Sequence, residues 1–196
     1  MLEIAISSRN KEKKRELKSL LKGLKIKVLD LNDFPSAPRV EENGKTFEEN
    51  AAVKALTVAR FTKRLALADD SGLEVEVLGG RPGVYSARFA GENATYEANN
   101  RKLLRLLKGF PKPKRKARFV CVIAIADKNK LVGLVRGECI GRITFEPKGR
   151  NGFGYDPVFY LPNYQCTMAQ LPIAVKNTMS HRARALRQLR QQLEAL

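Results

Sequence analysis

With 196 residues, 43% hydrophobic and 29% charged, the chain can build one sizeable core or two lobes on a single sheet, but not two independent domains. Its longest apolar run, Phe119 to Ala126, is far below membrane-spanning length, which excludes a bilayer-embedded protein and leaves one soluble domain over residues 1–196. The net charge of +17 calls for an anionic partner, and because the cations are scattered without an aromatic-rich binding motif, an enzyme acting on a small phosphorylated substrate is expected, with any nucleic-acid contact non-specific.

Leu2 to Ser7 reads as a first strand rather than a signal peptide, since it has neither a basic leader nor a long apolar stretch with a cleavage site, and a cytoplasmic protein is expected. Ser8-Arg9-Asn10 then turns into a helix from Lys11 to Lys22 with Leu17, Leu20, Leu21 and Leu24 on one face. Such a turn aims backbone N–H groups and the positive helix end at whatever lies above it, which suits phosphate oxygens; the same residues also serve as a plain Ser or Asn cap. A second strand, Lys25 to Leu31, leads into a Pro- and Gly-containing loop that carries Glu41 and Glu42. The next helix runs from about Thr46 to Lys63, with Thr46 and Glu49 spaced as a capping box. Lys54 lies near its apolar face, where it either snorkels or reaches an anion.

Leu65 to Ala68 reads as a buried strand end, Asp69-Asp70-Ser71-Gly72 as the turn leaving it, and Leu73 to Val77 as an alternating strand. Two adjacent carboxylates repel, so a divalent cation, a base of raised pKa or plain solvation must explain them, and the same four residues are also ordinary turn formers. Leu78 to Gly83 fixes a tight reversal before Tyr85 and Arg88. A helix from Thr95 to Lys108 with Tyr96, Leu103, Leu104 and Leu107 inward is followed by a basic linker. Phe119 to Ala126 is apolar without alternation, hence covered on both faces, and Asp127 to Lys130 turns it back into Leu131 to Val135, giving a mixed sheet.

Cys121, Cys139 and Cys166 lack metal-ligand spacing and read as reduced packing residues. The last third holds Gly152-Phe153-Gly154-Tyr155-Asp156-Pro157, the isolated Lys176, Ser180-His181-Arg182 and a closing helix with Leu186, Leu189, Leu193 and Leu196 at helical spacing. Glycines beside aromatics suit a flat ligand, and a structural aromatic in a Gly-rich turn has the same pattern. His181 is the only histidine, which excludes a multi-histidine metal site.

In order, these pieces resemble the inosine triphosphate pyrophosphatase family, or XTP/dITP diphosphatases, over nearly the whole chain. Ser8-Arg9-Asn10 with Lys13 and Glu16 is similar to its T-G-N-x-x-K-x-x-E opening, and Thr46 to Ala51 with Lys54 to its T-F-x-E-N-A-x-x-K-A helix. Ala68 to Leu73 and Leu78 to Arg88 follow the family closely, and Gly152 to Pro157 and Ser180 to Arg182 complete the set.

The resemblance implies an elongated mixed β-sheet flanked by helices, an α/β fold with two lobes around a central substrate cleft, usually as a homodimer. It implies magnesium-dependent hydrolysis of ITP, dITP or XTP to the monophosphate and pyrophosphate. By position, Asp70 becomes the general base and a magnesium ligand, with Glu41 or its neighbour Glu42 another ligand, and Ser71 a substrate contact. Ser8, Arg9, Asn10, Lys11, Glu12, Lys13 and Lys54 would hold phosphates. Phe153, Gly154, Tyr155, Asp156, Lys176, His181 and Arg182 would enclose the base, with Arg88 contributing. A donor such as Arg182 aimed at a 6-oxo group would reject adenine. Asp70 is expected to keep a low pKa beside magnesium.

The chain departs from the family at Arg9, Gln170, Ala174-Val175 and Ala183, where Gly, Glu, two acids and Gly are usual. Two other readings follow: a nucleic-acid- or phosphate-binding protein that has lost catalysis, and a pyrophosphatase for other modified nucleotides.

Overall fold

The computed structural model describes residues 2–194. Strand β1 (Leu2–Ile6) pairs in parallel with β2 (Ile26–Asp30) and with β3 (Leu65–Val75). Helices α1 (Lys11–Leu20) and α2 (Phe47–Thr62) make the returns between them, as parallel neighbours require. The chain continues through α3 (Tyr96–Leu106), β4 (Lys116–Ala126) and β5 (Leu131–Ile143), then β6 (Phe159–Leu161), β7 (Cys166–Thr167), α4 (Ile173–Met179) and α5 (His181–Glu194). The seven strands form one sheet in the order β2-β1-β3-β4-β5-β6-β7, with β6 antiparallel to both β5 and β7. A mixed sheet flanked by helices is the expected fold class. No helix among the described residues is long and apolar enough to cross a membrane.

Two compact units are present. Among the described residues, the first comprises the chain up to Asp70, residues 121–137 and the chain from Arg182 on; the second comprises residues 71–120 and 138–181. The first unit's core joins Ile4 and Ile6 of β1, Leu17 and Leu21, Leu67, Ile123 and Ile125 of β4, and Leu186, Leu189 and Leu193 of α5. Each such fully buried aliphatic chain contributes on the order of 1.5–3 kcal/mol. The second unit packs Leu73, Val75, Leu103, Leu107, Phe119, Phe159 and Met168 together. Every residue from Phe119 to Ala126 is buried, as their unbroken apolar run requires. The three cysteines are free thiols, two of them buried. Leu196 lies outside the described residues.

Several expectations are corrected. Asp69 to Gly72 form no turn: β3 runs unbroken from Leu65 to Val75, and Val77 lies in the short 3-10 turn that follows. The Thr46–Glu49 capping box is half made. Thr46 Oγ1 accepts from Glu49 N (3.1 Å), but the Glu49 carboxylate accepts from Lys45 N (2.7 Å) instead of Thr46 N. Tyr96 is 39% exposed because Asn99 and Asn100 take the inward positions of α3, where their amides hold neighbouring loops. Strand β5 extends to Ile143 rather than Val135, and Lys176 sits on α4.

Candidate active site

The opening of α1 is held by its own cap. Asn10 has extended backbone angles, and its side-chain oxygen accepts from Glu12 N (3.0 Å) and Lys13 N (3.1 Å). Two of the N–H groups expected to face phosphate are therefore already occupied, because the short Asn side chain reaches them first. Ser8 Oγ accepts from Asn10 N (3.3 Å), Arg9 donates to the Ala37 carbonyl (2.9 Å), Glu12 pairs with Arg15 (2.6 Å), and Lys11 is exposed. Lys13 is the residue of this turn that reaches the carboxylates: its Nζ is 2.8 Å from Asp69.

Successive side chains on a strand point to opposite faces, and this resolves the puzzle of two adjacent acids on β3. Asp69 meets Lys13 of α1 and Arg182 of α5, whereas Asp70 meets α2. Asn50 and Lys54 are one turn apart on α2 and both reach Asp70. Lys54 Nζ lies 2.9 Å from Asp70 Oδ1, 2.9 Å from the Asp69 carbonyl and 3.0 Å from Glu42 Oε1. Asn50 donates to Asp70 Oδ2 (3.3 Å) and accepts from Gly44 N (2.8 Å), tying the 41–44 loop to the same carboxylate.

The pKa values of the two acids move in opposite directions for the same geometric reason. Burial works to raise the Asp69 pKa, but Lys13 and Arg182 outweigh it and hold the carboxyl well below the usual range. At Asp70 burial prevails over Lys54 and Lys13, so its pKa rises above the ordinary carboxylate value. Burial likewise disfavours the Lys54 ammonium, yet Asp70, Glu42 and Asp69 together keep its pKa above the ordinary value.

In the second unit, the loop between β5 and β6 is shaped around Asp156. Its Oδ2 accepts from Phe153 N (2.9 Å) and from Lys176 Nζ (2.6 Å). Gly152 has φ +75°, and a Cβ there would stand 1.9 Å from that oxygen, so only glycine fits. Lys176 Nζ lies 4.7 Å from the Phe153 ring centroid, and Asn100 donates to the Gly154 carbonyl (3.0 Å). His181 stacks on Phe119 with centroids 4.8 Å apart, Arg88 lies over the Tyr85 ring, and Ser71 is half-buried on β3.

The Ham1 family model matches residues 4–192. The chain belongs to the Ham1 family. Over its whole length it is 51% identical to a dITP/XTP pyrophosphatase of Desulforamulus reducens, covering 97% of that protein. Among solved structures it is similar to a HAM1 protein from Coxiella burnetii, with a TM-score of 0.92 at 44% identity and full coverage of both chains. It is also similar to the Staphylococcus aureus Ham1 protein, with a TM-score of 0.89 at 42% identity over 98% of each chain.

In this Ham1 chain the first unit gathers Lys13, Lys54, Asp70 and Arg182 of the expected residues, and the second gathers Phe153, Gly154, Asp156 and Lys176. Two side chains do something other than expected. Tyr155 is buried in the second unit's core with its hydroxyl donating to the Ser86 carbonyl (2.8 Å), so its ring is packing rather than a wall for a ligand. Arg182 is 1% exposed, and all three of its guanidinium nitrogens are engaged: Nε and Nη2 with Asp69, Nη1 with Glu16. A guanidinium committed to two buried carboxylates is an internal strut rather than a donor aimed at a ligand. Asn50, Asp69 and Glu16 gain roles that had not been assigned to them, although all three stand within the quoted motifs. Asn100 lies outside those motifs, and no local signal marks it.

Among the described residues, no three His, Cys, Asp or Glu side chains cluster as a metal site. The donors around Lys54 Nζ are nevertheless all oxygens, from Asp70, Glu42 and the Asp69 carbonyl, a set that hard cations favour and that already holds one cation. Glu42 is the acid brought to this set. Glu41 is exposed and accepts from Asn43 Nδ2 (3.0 Å), because neighbouring side chains in this extended loop diverge.

Proposed function

We infer that this chain is a nucleoside-triphosphate pyrophosphatase that hydrolyses non-canonical purine nucleotides, dITP, ITP and XTP, to the monophosphate and pyrophosphate. The observation that carries the reading is the Asp70–Lys54 pair, a buried carboxylate 2.9 Å from a buried ammonium that brings two of the family's motifs together. The match to a dITP/XTP pyrophosphatase over both full lengths supports the substrate class.

Phosphoryl transfer needs charge neutralisation and a positioned nucleophile more than covalent chemistry by the protein. Lys54 and Lys13 supply positioned cations for phosphate oxygens. Asp70 orients a water molecule and accepts its proton as the bond between the α and β phosphates breaks. Asn50 fixes the Asp70 carboxylate. Asp69 stays ionised and holds Lys13 in place. Magnesium fits the oxygen set, with Asp70 and Glu42 as the residues to hold it; when bound it supplies phosphate neutralisation and a more acidic water. On the base side, Phe153 offers a ring face, and Lys176 with Asp156 offers a donor and an acceptor. The homodimer and the cytoplasmic location belong to the same reading.

Pyrophosphate release from ITP, dITP, XTP, GTP and ATP, with and without magnesium, tests the reading. Release from the inosine and xanthosine nucleotides should require magnesium and fall by about 100-fold or more in Asp70→Asn. Equal turnover of ATP, or full activity in the variant, overturns it.

A further inference from the structure

No Asp or Glu occurs between Glu97 and Asp127, a stretch that carries nine Lys and Arg residues. Three of these have identified work. Lys102 donates to the Phe89 carbonyl, Arg115 is buried with its guanidinium on backbone carbonyls, and Arg118 pairs with Glu74 and Glu138. The other six, Arg101, Arg105, Lys108, Lys112, Lys114 and Lys116, are all exposed; Lys112 lies over the Tyr160 ring (5.5 Å), and among the described residues none of the six forms an ion pair. Arg101 and Arg105 are one turn apart on α3, on the side opposite the buried Leu103, and Lys108 follows in the turn that ends the helix. Lys112, Lys114 and Lys116 continue the chain through a 3-10 turn into β4.

A second observation comes from the end of β5. Arg115 donates to the Ile143 carbonyl (2.9 Å) and the Thr144 carbonyl (2.6 Å), which fastens this segment beside the lysine-bearing turn. The next residue, Phe145, lies against the Arg115 guanidinium at 4.4 Å and is 64% exposed. Glu146, the nearest carboxylate in sequence, pairs with Lys148 (3.1 Å) and does not neutralise the lysines. Six like charges held together without counter-charges repel one another, and a polyanion relieves that repulsion. A large aromatic ring held in water beside them suits the face of an unpaired base.

We propose that this face of the second unit binds single-stranded nucleic acid, with backbone phosphates on the six cations and a base on Phe145. The surface is distinct from every residue assigned to nucleotide hydrolysis, and it gives the excess positive charge a partner.

The test is fluorescence anisotropy with the full chain and a labelled oligothymidylate, against a duplex of equal length, between about 50 and 200 mM salt. Six phosphate contacts give a slope of log K against log salt of about −4 for a single strand, at about 0.7 per contact. The triple variant Arg101→Glu, Arg105→Glu, Lys108→Glu should bind at least about tenfold more weakly, with a slope shallower by about 2, while its pyrophosphate release stays at the wild-type level. Lys22→Glu, Lys25→Glu, Arg60→Glu removes equal charge from exposed sites of the first unit and should leave the slope nearly unchanged. Phe145→Ala should weaken single-strand binding by about fivefold or more without altering the slope, as loss of stacking requires. Equal losses in the two triple variants would mean diffuse attraction and overturn the proposal. So would tighter binding of duplex than of single strand, or no binding by the wild type at the lowest salt.

Discussion

Asp69 and Asp70 are neighbours in sequence and opposites in energetics. Asp69 neutralises Lys13 and shares the buried Arg182 with Glu16, so Asp69→Asn leaves Lys13 without its counter-charge and Arg182 with Glu16 alone, and should cost about 3–5 kcal/mol. Urea unfolding should show a lower midpoint at unchanged m-value. Asp70→Asn removes a carboxylate whose ionised form the fold already disfavours, and it should unfold within about 1 kcal/mol of the wild type or later, though inactive. A midpoint lowered equally in both variants contradicts this division. Asp30 gives a pH-dependent counterpart. Burial works to raise its pKa, but hydrogen bonds from Lys18 and Asn32 N prevail and lower it below the ordinary value. Its contribution is therefore fully present above the unfolded-state value of about 3.9 and is lost as pH falls through the lower folded-state value. Asp30→Asn should flatten the acid limb of stability against pH and reduce stability at pH 7.

Elements differ in how far local sequence specifies them. The N-terminus of α2 is written in Thr46 and its C-terminus in Lys63, which adopts the left-handed conformation at φ 56°. The Asp-Asp-Ser-Gly turn was misread because its residue types satisfy turn chemistry when no partner is present. Here α1, α2 and α5 bring the partners, and the backbone stays extended in β3. Two of the departures from the family pattern have visible partners: Gln170 accepts from Thr167 N (2.9 Å) as a cap within its own turn, and Arg9 is tied to the Ala37 carbonyl of a separate segment. The loop between β5 and β6 depends on one glycine. Gly152→Ala places a methyl group against Asp156, and the lost Asp156–Lys176 pairing should raise KM for ITP by about tenfold with a smaller change in kcat. An unchanged KM would show that Asp156 does not shape the base side.

The molecule as a whole carries +17, and its substrates carry several negative charges. Electrostatic steering predicts that kcat/KM falls severalfold between about 0.02 and 0.2 M salt while kcat holds steady, because the Debye length contracts from about 20 Å to below 10 Å. Steady-state kinetics across that range would decide it; a salt-independent kcat/KM excludes steering. Helix and strand periods, the cap at Asn10, the double-sided burial of β4 and the order of the motifs were readable along the chain, because each depends on neighbours a few residues apart. The charge state of Asp69, the choice of Glu42 over Glu41, and the burial of Tyr155 and Arg182 were not. Each depends on a partner far away in the chain: Arg182 lies 113 residues from Asp69, and Tyr155 lies 69 from Ser86. Spacing along a chain records which residues recur together. Whether a carboxylate is paired, buried or left to water is settled by the side chains that folding brings to its own face of the strand.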